Sequence, residues 1–200
     1  MVRDKEQTRQ RLIEAVGTAL SEHGFQGLGV NAVARVAGVD KVLIYRYFGG
    51  LAELLEAYGE SQGFWPSREE VLGRKVAVIK ALPKAERVEA VLLGLLDALR
   101  QRPQTIEVLA WEAVQQSPLT AMLAERREAW SRQILAELFD DAGPEDRPLL
   151  TLASLLVAGF QYLLIRARRG SVYGGIALDS EAGWAEVRDA IRRACRAGCN

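Results

Sequence analysis

The chain has 200 residues, with 26 basic and 26 acidic side chains and one histidine. That length supports a buried core without disulfides or metals, and a composition 49% hydrophobic and 26% charged is globular rather than disordered. Zero net charge gives no global pull toward nucleic acid and no solvating acidic tail, one histidine excludes H-E-x-x-H zinc chemistry, and two cysteines, Cys195 and Cys199, make no disulfide framework.

Taken along the chain, helical periodicity dominates and strand alternation is hard to find. The start, Met1 to Glu6, mixes charges without an apolar run, so no secretion signal is expected. Residues 5–22 place Leu12, Ala15, Val16, Ala19 and Leu20 on one stripe. Gly24 then stops the helix, and His23 sits at its negative end. Ala32–Ala37 predicts a short second helix closed by Gly38. Asp40 suits the N-cap of a third, from Lys41 to about Tyr47, because its carboxylate can accept an orphan backbone N–H. Gly49-Gly50 ends it. A fourth helix carries Leu51, Leu54, Leu55 and Tyr58 on one face, and Phe64-Trp65 after it reads as packing or a hinge contact.

Ser67-x-x-Glu70 has capping-box form and predicts a new helix start. Pro83, Pro103 and Pro118 head further helices, where a missing N–H costs little. Asp140–Pro144 is a loop. Leu149–Ile165 is a nearly continuous apolar run of 17 residues ending in Arg166, Arg168 and Arg169. It falls short of the about 20 residues of a membrane span and contains Thr151, Ser154 and Gln161. It reads as a helix buried on most sides, inside a bundle or a dimer interface, so no membrane association is expected. Gly170–Asp179 is a Gly-rich loop, and Ser180 caps a last helix through Trp184, Val187 and Ile191. The fold class is all-α with about nine helices, divided near residues 60 to 66.

The first fifty residues hold the most informative pattern. Ala34-Arg35-Val36-Ala37-Gly38-Val39 puts a small residue and a glycine, four apart, between two short helices. A helix-turn-helix needs both: Ala34 lets the helices cross closely, and Gly38 accepts positive φ without cost. Val39 and Ile44 plug the space between them. The helix after Asp40 would point Lys41, Val42, Leu43, Tyr45 and Arg46 outward, into a DNA major groove. Lys41 and Arg46 are donors for guanine or phosphate, and the hydroxyls of Tyr45 and Tyr47 suit phosphate oxygens. With Asn31, Arg35 and Asp40, the DNA-facing set is Asn31, Arg35, Asp40, Lys41, Val42, Tyr45, Arg46 and Tyr47.

Residues 9–55 resemble the DNA-binding domain of TetR-type (TetR/AcrR) transcriptional regulators. The matching residues are Arg11-Leu12-Ile13, Ala15, Gly24-Phe25, Val30, Val33-Ala34 and Leu54-Leu55, with the run from Ala37 to Phe48 the most specific. The resemblance implies a helix-turn-helix domain over 5–65 and a helical effector-binding and dimerisation domain over 66–200. Two positions depart from the family pattern. Gly29 stands where the family has Ser or Thr capping the second helix, and Leu51 where it has a phosphate-directed Lys at the start of the fourth. Weaker backbone clamping, or compensation elsewhere, is expected.

One recognition helix reads too few bases, so a homodimer on a palindromic DNA operator is expected, with two helices about 34 Å apart. Helices near 145–169 and 180–197 are the candidate interface, with Ala153, Ser154, Ala158 and Gly159 permitting close approach. The resemblance also implies a small-molecule effector of unknown identity bound among the middle helices, releasing the repressor from DNA. Trp111, Glu112, Gln115, Trp130, Phe160 and Tyr162 are the pocket candidates, Glu112 and Gln115 being the polar anchors; aromatics at such spacing also fit ordinary core.

No catalytic residue, metal or cofactor is expected. Gly27-x-Gly29-x-x-Ala32 matches a dinucleotide pattern but follows a helix, not a strand. Cys195-x-x-x-Cys199 has no second ligand pair, so both read as free thiols at a frayed end. Glu107 and Glu112 are two carboxylates without a glycosidase context, and neither a Gly-x-Ser-x-Gly elbow nor a Walker loop occurs. The expectation is a cytoplasmic, ligand-responsive, dimeric repressor; the alternative is an all-α interaction module without operator-specific DNA binding.

Overall fold

Glycines and prolines set most of the helix ends. The computed structural model describes residues 2–24, 27–61, 65–73, 76–114 and 118–197. Among these residues, eleven α-helices and one hairpin form: α1 (Val2–His23), α2 (Val30–Ala37), α3 (Val42–Phe48), α4 (Leu51–Glu60), α5 (Arg68–Leu72), α6 (Val76–Lys80), α7 (Lys84–Arg100), α8 (Pro103–Glu112), α9 (Pro118–Leu138), α10 (Arg147–Ala167), β1 (Val172–Tyr173), β2 (Ile176–Ala177) and α11 (Glu181–Ala197). The all-α class holds. The helix count exceeds the expected nine because the helix started by Ser67 ends after five residues and α6, also of five, is too short for a period to show. Gly24 ends α1 at φ +64°, and the Ser67–Glu70 capping box closes both ways, with Ser67 N donating to Glu70 Oε2 at 2.8 Å.

The expected loop at 170–179 is instead an antiparallel hairpin pairing Val172 with Ala177 and Tyr173 with Ile176. Gly174 and Gly175 turn it at φ +56° and +88°, the paired positive φ of a two-residue turn that suits strand twist. Four strand residues are too few to show alternation.

Contacts divide the chain into two units: Met1–Trp65 with Arg102–Arg127, and Pro66–Gln101 with Glu128–Asn200. The core of the first gathers Leu12, Val16, Ala19 and Leu20 of α1, Val33 and Ala34 of α2, Ile44 of α3, Leu54, Leu55 and Tyr58 of α4, and Val108 of α8. Tyr58 lies over Gly17, where a Cβ would come within 3.1 Å of its hydroxyl.

In the second unit, α7 packs against α5, α10 and α11. Gly94 permits the α5 contact: a Cβ there would lie 1.7 Å from the carbonyl oxygen of Val71. Arg87, 9% exposed, ties the start of α7 to its surroundings by donating to the carbonyls of Leu82 (2.7 Å) and Leu138 (3.0 Å) and to Asp141 (2.8 Å). Ser180 caps α11 through Gly183 N at 3.1 Å. That helix is anchored by a network in which Arg100 and Arg188 both donate to Glu181 and Arg188 also to Asp97. Cys195, expected at a frayed end, is fully buried on α11; Cys199, Phe25 and Phe64 lie outside the described residues.

Helix α10 departs most from expectation. The segment Pro144–Ala167 is long and apolar enough to cross a membrane by length and composition, yet only 17% of its most apolar stretch is buried. Leu149, Phe160 and Leu164 are its buried residues. Thr151, Ser154, Leu155, Ala158, Gly159 and Tyr162 form an exposed stripe at helical spacing. The helix is therefore not buried on most sides within this chain.

Candidate nucleic-acid interface

The turn between α2 and α3 is fixed by its own backbone. Gly38 takes φ +63° and ψ +38°; its N–H reaches Arg35 O at 3.2 Å while Val39 N–H reaches back to Ala34 O at 3.1 Å. That pair of bonds is a Schellman closure, which satisfies two orphan carbonyls at the end of α2. Arg11 on α1 takes a third, donating to Ala37 O at 2.7 Å. Ala34 is 5% exposed at the crossing.

Asp40 then starts α3: its Oδ1 accepts from Val42 N at 2.8 Å and its carbonyl from Leu43 N. The carboxylate serves the helix start, where a negative charge is also favoured by the helix dipole. Ile44 is fully buried beneath α3. On its other side Lys41, Val42, Tyr45 and Arg46 are exposed, Val42 and Tyr45 by more than half. These four residues thus share one open face, while Leu43, expected to point outward with them, is half-buried against the core. Tyr47 is half-buried.

On α2, Asn31 and Arg35 are exposed. Arg35 Nη2 lies 2.8 Å from His23 Nε2. A guanidinium can only donate in such a pair. His23 therefore holds Arg35, a role that its place at a helix end did not suggest. Gly29 caps α2 in extended backbone (φ −156°) without a side-chain bond. Leu51 is half-buried against the core and points no charge at a phosphate.

Two further cations flank the recognition helix. Lys5 Nζ stands 5.7 Å from the centroid of the Tyr47 ring, and the Arg9 guanidinium 5.1 Å from that of Phe48. Their i, i+4 spacing on α1 is the one signal the sequence offers, and only the folded contact links them to α3.

The pocket candidates are divided between the two units. Trp111 and Glu112 belong to the first unit, Trp130, Phe160 and Tyr162 to the second, and Gln115 lies outside the described residues. Glu112 accepts both Arg127 Nη atoms, at 2.7 and 2.9 Å, so its charge is already answered. Phe160 is 2% exposed and Tyr162 47%. Two positions along a helix turn the side chain by about 200°, which puts them on opposite sides of α10. Tyr162 instead meets Tyr173 of the hairpin edge-on, centroids 5.4 Å apart. The neighbouring Gln161, which the sequence did not single out as an anchor, has its Nε2 buried without a hydrogen-bond partner.

Comparison with known proteins bears on the same segment. Residues 12–58 match the family described as bacterial regulatory proteins, tetR family. The HTH-type transcriptional repressor SCO4008 of Streptomyces coelicolor is 28% identical over 206 residues, covering 97% of this chain and 96% of that one. The HTH-type transcriptional regulator SrpR of Pseudomonas putida is 30% identical over 118 residues, covering 58% of this chain and 52% of that one. Among solved structures, a TetR-like transcriptional regulator from Rhodococcus sp. RHA1 superposes with a TM-score of 0.61 at 19% identity, over 96% of this chain and 95% of the other. NalD, the secondary repressor of the MexAB-OprM multidrug efflux pump in Pseudomonas aeruginosa, does so at 0.58 and 17% identity, over 96% of each chain. The family match falls on the helices that build the turn and hold Lys41, Tyr45 and Arg46 open; residues 12–58 carry the DNA-binding segment of the tetR family of bacterial regulatory proteins, and the chain is similar over its length to transcriptional regulators of that type.

Proposed function

We propose that the protein is a cytoplasmic homodimeric repressor that grips a palindromic operator and leaves it when a small molecule binds. The observation that carries the reading is the open face of α3, where Lys41, Val42, Tyr45 and Arg46 are exposed above a fully buried Ile44. In this reading Lys41 and Arg46 donate to guanine edges or phosphates, Tyr45 and Tyr47 to phosphates, and Val42 meets a thymine methyl. Asn31 and Arg35 reach the backbone from α2, and Asp40 sets the start of α3. Residues 5–65 are the reading head, and 66–200 supply effector binding and dimerisation.

The exposed stripe on α10 supports the dimer: it runs three turns, is largely apolar, and includes Ser154, Ala158 and Gly159, which allow two helices to approach closely. Repression fits the name of the similar chain SCO4008, a transcriptional repressor. The partnerless amide of Gln161 supports an effector that offers a hydrogen-bond acceptor, with Phe160 beside it in the chain; Trp111, Glu112, Gln115, Trp130 and Tyr162 are the weaker lining assignments.

The test is a gel shift with the DNA flanking the gene, using wild type, Lys41→Ala and Arg46→Ala. Wild type is retained and each variant weakened; no retention of any flanking fragment at low salt overturns the reading. Sedimentation of the full chain tests the dimer. Wild type runs as two copies and Leu155→Glu as one, whereas a wild-type monomer at micromolar concentration refutes it.

A further inference from the structure

We infer that Lys5 and Arg9 are a second phosphate-gripping pair, held at the end of the recognition helix by its own aromatic rings. The inference rests on the DNA-binding reading and deepens it.

Two exposed or half-exposed cations on a helix surface are ordinarily free to sample many rotamers, and ordering them costs entropy on binding. Here each is already placed. Lys5 Nζ lies 5.7 Å from the Tyr47 ring and Arg9 Cζ 5.1 Å from the Phe48 ring, within the range at which a ring quadrupole attracts a cation. Tyr47 and Phe48 are consecutive and end α3, so both cations are tied to the helix whose first turns carry Lys41, Val42, Tyr45 and Arg46. The Arg11–Ala37 bond holds the same stretch of α1 to the end of α2. Glu6 competes for Arg9 only from 3.8 Å and from an exposed position, a weak surface pair.

The chain also needs such a grip. Leu51 is apolar and half-buried at the start of α4, and Gly29 offers no hydroxyl at the start of α2. The 50-residue N-terminal segment carries seven basic and five acidic groups, so each correctly placed cation counts. Lys5 and Arg9 are two of those seven, and their ring contacts lie at the end of α3 rather than at its first turn. Their contribution is uniform over sequence: they hold register and orientation against the phosphate chain while Lys41 and Arg46 discriminate.

The experiment is fluorescence anisotropy over a series of salt concentrations. Two probes are used, a labelled duplex from immediately upstream of the gene and a second duplex with its sequence scrambled. The proteins are wild type, Lys5→Ala/Arg9→Ala, Lys5→Arg/Arg9→Lys and Lys41→Ala, with thermal melts to compare folding. The double alanine variant should weaken both duplexes by the same factor. It should also flatten the slope of log affinity against log salt by about 0.9 for each phosphate no longer neutralised, hence about 2 for one chain and about 4 for two. The charge-keeping double variant should restore the slope, which a merely structural role would not produce. Lys41→Ala should weaken the upstream duplex more than the scrambled one. Wild-type binding with an unchanged slope in the folded double alanine variant overturns this inference alone. Wild type that binds neither duplex overturns the DNA-binding reading and this inference with it.

Discussion

Replacing Gly94 by alanine isolates the packing of α5 on α7. On propensity alone the change should help, since glycine in a helix interior is about 1 kcal/mol worse than alanine. The structure reverses the sign. The new methyl would lie 1.7 Å from the carbonyl oxygen of Val71, about 1.6 Å short of the roughly 3.3 Å at which carbon and a carbonyl oxygen ordinarily meet. Backbone cannot rotate aside as a flexible side chain would, so α5 must move away from α7. A gap of about 1 Å forfeits up to half of each atom pair's dispersion well, and Val71 and Leu72, 3% and 6% exposed, lose their seat. Overpacking of this kind costs about 1–3 kcal/mol, and with the reduced burial the net destabilisation is about 2 kcal/mol. For a chain of this length that lowers Tm by roughly 4–8 °C. Urea and thermal denaturation followed by circular dichroism measure it directly. A Gly94→Ala protein as stable as wild type, or more so, refutes the argument from close approach.

Other outcomes follow from the same geometry. Arg87→Ala strands the carbonyls of Leu82 and Leu138 and unpairs Asp141, so it should cost about 2–4 kcal/mol in denaturant titration. Glu181 is held down to about 2 by the hydrogen bonds of Arg100 and then Arg188, and Asp141 and Asp146 are lowered by Arg87 and Lys84 respectively. Because these folded-state values are depressed, their stabilisation is present above the ordinary carboxylate range. For Glu181 it is lost as pH falls from 4.5 toward 2; Tm measured against pH should fall through that window, less steeply in Glu181→Gln. Gly29→Ser meets nothing within 4 Å and sits in extended backbone, so capping and a stiffer unfolded chain should together raise stability by about 0.5–1 kcal/mol, with DNA affinity rising in the same gel shift.

The reading head is largely legible in the sequence because its signals are local. Ala34 and Gly38 mark a turn by size and by φ, Asp40 marks a helix start, and the stripe from Leu12 to Leu20 marks a buried face; each needs only neighbours in sequence. What the sequence withholds depends on partners far along the chain. The bond from Arg11 to Ala37 and the pairing of Arg35 with His23 span 26 and 12 residues, and no spacing rule announces them. The apolar run at 149–165 is visible, but composition cannot say which side of a helix is covered, and most of α10 is open. The pocket candidates rest on residue type, and type does not separate Phe160, which faces in, from Tyr162, which faces out.

Val108, 1% exposed, lies in the same core as Leu12 and Ile44, although 43 residues separate it from Trp65 at the end of that unit's first stretch. During synthesis, at roughly 5–20 residues per second, the first four helices wait about 2–9 s for that side chain to arrive. Until then their core has an open seat, and the nascent segment exposes apolar surface that a chaperone can hold. A fragment cut at residue 65 carries the same hole permanently, and a nick anywhere between 66 and 101 leaves both stretches of the unit intact. The DNA-reading end is thus a late-closing unit, complete only when a distant stretch of chain has come back to it.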